Sequence, residues 1–163
     1  MENLGAFSNY RISVILAFMK ARIFIALGFI SIGLAFSLIF FTQIEFPTEV
    51  RTYFRTGTYD KFGPLVISVE MVVAGASLLF SKSKANFALA IFGFTALLDP
   101  FFNLTGIFTS LVPTYATLVF VFCAIISLWI AFTDTFDTGR IKLFEVLKSF
   151  VLGTAIELFI NNL

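Results

Sequence analysis

The stretch IFIALGFISIGLAFSLIFFTQI, from Ile23 to Ile44, runs without a charge between Arg22 and Glu45. A membrane helix needs about 20 mostly apolar residues to cross a hydrocarbon core about 30 Å thick. This segment meets that need by itself. It is also longer than the apolar part of a secretory signal, and it leads into Phe40-Phe41-Thr42-Gln43 rather than a small-residue cleavage site. It therefore reads as an anchor.

Further segments of the same kind follow. Phe62 to Ser81 lies between Lys61 and Lys82, with Glu70 its one charge. Ala85 to Thr133 carries only Asp99 and is long enough for two crossings. Asp99-Pro100 and Asn103-Leu104-Thr105-Gly106 supply turn residues near its middle. The spacing predicts spans over about 22–42, 62–81, 85–103 and 110–132. The fold class expected is all-α: one integral membrane four-helix bundle, residues 1–163, with amphipathic N- and C-terminal helices.

Composition agrees. Of the 163 residues, 59% are hydrophobic and 13% are charged, about half the charged share of a soluble domain. Net charge is +1, which leaves no basic surface for nucleic acid. The chain has no histidine and one cysteine, Cys123. Imidazole catalysis, an internal disulfide and a CxxC pair are therefore excluded. No catalytic set, cofactor motif or metal-ligand pattern is expected. The lipid bilayer is the first partner expected, with further copies of the chain or partner membrane subunits as the second.

Charge bias sets an orientation. Arg11, Lys20 and Arg22 precede the first span, Lys82 and Lys84 join the second to the third, and Arg140, Lys142 and Lys148 follow the fourth. With four spans these cations share one side, which the positive-inside rule makes cytoplasmic. Both termini are then expected in the cytoplasm, as in a multi-pass protein of a bacterial inner membrane. The C-terminal segment, about 138–162, repeats Leu143, Leu147, Phe150, Val151, Thr154 and Leu158 at helical spacing. It reads as an amphipathic helix lying on the membrane or packed on a partner. Residues 4–21 read as an interfacial helix or as an extension of the first span.

Glu70 is the leading site residue. A charged carboxylate at bilayer depth costs at least about 2.5 kcal/mol. It must face the bundle, pair with a donor or stay protonated. It can serve a proton or ion pathway, or merely hold a neighbouring helix. Asp99 is the second candidate, near the outer end of the third helix; if that helix continues to Leu104, Asp99 lies deeper and can join Glu70. In the outer loop, Arg51 and Arg55 can contact an anion, although Glu45, Glu49 and Asp60 lie beside them. Gly28, Gly33 and Ala74-Gly75-Ala76 are expected at close helix contacts. The 24 phenylalanines read chiefly as packing and lipid-facing bulk. A pocket for a quinone or other flat lipid is their alternative use.

The stretch Tyr53-Phe54…Gly57…Pro64-Leu65…Glu70…Ala74-Gly75…Leu78-Leu79, with Lys84-Ala85…Ala88-Leu89-Ala90 after it, resembles DoxX-like membrane proteins over roughly residues 20–130. Those are small four-helix proteins with a polar loop after the first helix and a glutamate in the second. The resemblance implies an accessory or anchoring subunit in redox or quinone chemistry, and it carries over Glu70. This chain departs from the pattern in lacking a lysine near the outer end of the first helix and a histidine in the third.

Overall fold

A computed structural model describes residues 3–44, 62–136 and 138–162. Five helices follow in order: α1 (Asn3–Gln43), α2 (Gly63–Phe80), α3 (Lys82–Thr105), α4 (Thr114–Phe132) and α5 (Leu143–Asn162). Among the described residues, four segments are long and apolar enough to cross a membrane: Leu16–Gln43, Gly63–Phe80, Lys84–Thr105 and Thr114–Phe132. The protein is a multi-pass membrane protein of all-α architecture. The N-terminal segment is continuous with the first span, since α1 is one unbroken helix.

Pro64 stands in the first turn of α2, where a missing N–H costs no hydrogen bond. At the other end of α2, Arg22 of α1 donates through Nε to the Leu78 carbonyl at 2.7 Å and through Nη2 to the Leu79 carbonyl at 3.4 Å. The last carbonyls of a helix have no partner within it, so Arg22 caps α2 from a neighbouring helix. Ser81 alone separates α2 from α3. Pro100 does not end α3, which continues to Thr105. It stops where Gly106 takes φ +74°, and the Ile107 N–H then closes on the Phe102 carbonyl at 3.0 Å. A glycine in this left-handed position is a common helix terminator.

α3 is the hub of the bundle, packed against α2, α4 and α5, while α1 packs chiefly on α2. Missing side chains set the close approaches. A Cβ on Gly75 would meet the Ala26 carbonyl oxygen at 2.8 Å, and one on Gly33 would meet the Ser68 carbonyl oxygen at 2.9 Å. Gly93 receives Leu128 in the same way, and Gly153 receives Thr95. Gly28 has open space around it and makes no such contact. Where backbones stand further apart, phenylalanine fills the gap. Phe36 of α1 meets Phe120 of α4 edge-on at 5.2 Å, and Phe29 meets Phe92 of α3 at 5.9 Å. Such edge contacts suit the quadrupole of the ring.

Elsewhere the outward faces are apolar. Phe24, Leu38, Phe80, Leu118, Phe122 and Trp129 are all exposed. One end of the bundle, here called inner, carries Arg22 and the α2–α3 turn, together with the α4–α5 connection that holds Arg140 and Lys142.

Candidate functional site

Glu70 is the eighth residue of α2. At 1.5 Å per residue it stands about 15 Å from the inner end of that helix, in the middle of the bundle. Both carboxyl oxygens are buried, and neither has a hydrogen-bond partner among the described residues. Thr95 of α3 presents its hydroxyl to this carboxyl. However, Thr95 Oγ1 donates to the Ile91 carbonyl at 3.0 Å, one turn back on its own helix. A hydroxyl has a single proton. While it serves Ile91, it offers the glutamate only lone pairs, to which a protonated carboxyl can donate and a carboxylate cannot.

Beside the carboxyl a groove of about 390 Å³ runs between α2 and α3. Val69, Val73, Phe87, Ala88 and Ile91 form its walls, and Ser77 and Lys84 line it toward the inner end. The groove is thus apolar along its length, with one carboxyl at mid-depth and one ammonium near the cation-rich surface. Its volume falls within the usual 300–1,000 Å³ of small-molecule sites. Val73 is half-exposed at the mouth, so the groove is reached from the outer surface of the bundle.

Asp99 follows Thr95 by one turn of α3. Because α3 runs on past Pro100, this carboxyl is buried at 4% exposure rather than at a helix end. It accepts a hydrogen bond from Ser110 Oγ at 2.9 Å. Ser110 in turn donates its backbone N–H to Asn103 Oδ1 at 3.2 Å, and its Oγ accepts from the Val112 N–H at 3.1 Å. The result is a knot that fixes the α3–α4 connection. A cavity of about 220 Å³ adjoins it, lined by Asn103, Thr114 and Thr117 among others. No lining residue is shared with the Glu70 groove.

Arg51 and Arg55, with the rest of the outer loop, lie outside the described residues. Cys123 is buried at 4% exposure among apolar neighbours in the core. Among the described residues, no group of three acidic, cysteine or histidine side chains stands close enough to hold a metal ion.

Several residues that matter here gave no signal in the sequence. Thr95 is an isolated hydroxyl in an apolar helix. Gly93 and Gly153 lack the small-residue clustering that pointed to Gly75. Asn86 is buried and donates through Nδ2 to the Gly139 carbonyl at 2.6 Å and the Thr138 carbonyl at 3.2 Å. A polar residue at the start of an apolar run was the available hint.

No family model, no curated protein and no solved structure matches this chain.

Proposed function

We propose that this multi-pass membrane protein is a non-catalytic membrane subunit that holds a lipid-soluble small molecule in the α2/α3 groove, with Glu70 as its polar contact. One observation carries the reading: a carboxyl at mid-depth has both oxygens buried and unpaired beside an open apolar groove. Leaving a buried polar group unpaired costs about 1–3 kcal/mol, more if charged. The hydrocarbon core offers no water to meet that demand. A ligand with one hydroxyl or carbonyl group on an otherwise apolar body would meet it while filling the walls. Flat keto or hydroxy lipids of the quinone type have this form, and the likeness to DoxX-like proteins points the same way.

The central depth of Glu70 also favours a second reading, passage of a proton or ion across an oligomer.

The test is extraction of bound lipid from protein purified in mild detergent, followed by mass spectrometry. The native chain should retain one apolar compound at near-stoichiometric amount. Val73→Trp fills the groove mouth and should lose that compound with the thermal midpoint kept, and Glu70→Gln should weaken its retention. An identical lipid profile in all three proteins overturns the ligand. Flux in liposomes abolished by Glu70→Gln would establish the second reading instead.

A further inference from the structure

α5 joins the bundle in an unexpected way. Its first residues follow a connection fixed to the inner end, where Asn86 holds Thr138 and Gly139 and the Ile141 N–H donates to the Ala131 carbonyl at 3.1 Å. Halfway along, Gly153 lies on Thr95, and Phe150 meets Phe94 edge-on at 5.5 Å and 89°. Near its end, Ile160 lies against Gly63, so close that a Cβ there would stand 3.7 Å from Ile160 Cγ2. Gly63 opens α2, at the end of that helix opposite to the one Arg22 caps. α5 therefore begins at the inner end of the bundle and finishes at the outer end, parallel to α3. Its 20 residues span about 30 Å at 1.5 Å each, the thickness of the hydrocarbon core.

The distribution of its side chains fits that path. Ser149, Gly153 and Glu157 form one stripe facing the bundle, all buried. Leu147, Val151, Leu158 and Phe159 face outward and are exposed. Two of the three charges stand near the inner end. Glu145 Oε2 accepts from the Lys142 N–H at 3.2 Å, and the Lys148 ammonium lies over the Phe144 ring at 4.3 Å. The third, Glu157, is turned inward at 2% exposure. From Val151 to Phe159 the outward face carries no charge. We infer that α5 is a fifth membrane crossing, its outward face in contact with acyl chains over the full depth, so that the two ends of the chain lie on opposite sides of the membrane.

This replaces the cytoplasmic C-terminus expected from four spans, and it leaves the charge rule intact. Arg140, Lys142 and Lys148 still lie at the inner end, and no cation follows Lys148. The inference is independent of what the groove binds.

Two measurements test it, both on the full chain in a Cys123→Ala background. A cysteine appended after Leu163 should react with a membrane-impermeant maleimide in right-side-out spheroplasts, and one placed before Met1 should react only in inverted vesicles. Labelling of both ends from the same side overturns the fifth crossing. Spin labels at residues 143, 151 and 159 report the occupant of the outward face. Oxygen accessibility should peak at residue 151, with polar relaxants excluded there. Equal depth at all three positions would mean a helix lying on the surface. Exclusion of both reagents at residue 151 would mean a second copy seated on the face. Either result overturns the inference.

Discussion

α2 and α5 both pack on α3, and each carries a glutamate away from its ends, Glu70 and Glu157. The two carboxylates meet different fates. Glu70 keeps its oxygens buried but unpaired beside an open groove. Glu157 is sealed at 2% exposure on the stripe it shares with Ser149 and Gly153, and it is engaged in the fold. The difference separates two uses of a costly group. A carboxylate that the fold fully encloses and engages contributes to structure. One that the fold shelters and leaves unpaired is available to something else.

Four substitutions sharpen or break this contrast, beginning with the largest expected effect. Gly153→Leu places a side chain where even a Cβ meets Thr95 Oγ1 at 3.1 Å and the Thr95 backbone nitrogen at 3.2 Å. Overpacking of this kind costs about 1–3 kcal/mol. The thermal midpoint in detergent should fall, and the 133–142 connection should become open to protease. An unchanged midpoint would mean that α5 does not rest on α3. Next is the pair Glu157→Leu and Glu70→Leu, compared by the same melting assay. Removing Glu157 strips a buried group from its contacts and should destabilise by about 1–3 kcal/mol. Removing Glu70 gives up only its contact with the Thr95 hydroxyl and should leave stability level or raised. Equal losses would erase the distinction between the two carboxylates. The smallest effect is expected for Asn86→Ala, which deletes two hydrogen bonds to the α4–α5 connection at about 1 kcal/mol in all. Hydrogen exchange should quicken at the start of α5 and stay unchanged in α2.

The four apolar crossings were readable because hydropathy is additive along a chain, and a window through Ile23–Ile44 needs no knowledge of its neighbours. The depth of Glu70 followed from its place in α2 by the same logic. The end of α3 was harder. Pro100 suggested a stop, but the helix closes at Gly106 and carries Asp99 inward to Ser110. Likewise Gly28 and Gly33 look alike in sequence, and only Gly33 faces a neighbour.

The sequence by itself determined that this protein lives in a membrane, that four apolar segments cross it, and that one carboxyl must lie at depth. These are sums over residue types, set by the cost of moving each type out of water. Tertiary structure alone decided which carboxyl is enclosed and which opens on a groove, that Arg22 closes α2, and that α5 lies along α3 from end to end. Those outcomes depend on the direction in which a side chain points. Glu157 lowers the mean hydropathy of α5 wherever it faces, yet turned toward the bundle it leaves the outward surface of that helix apolar from Val151 to Phe159, and that orientation is a property of the packed fold.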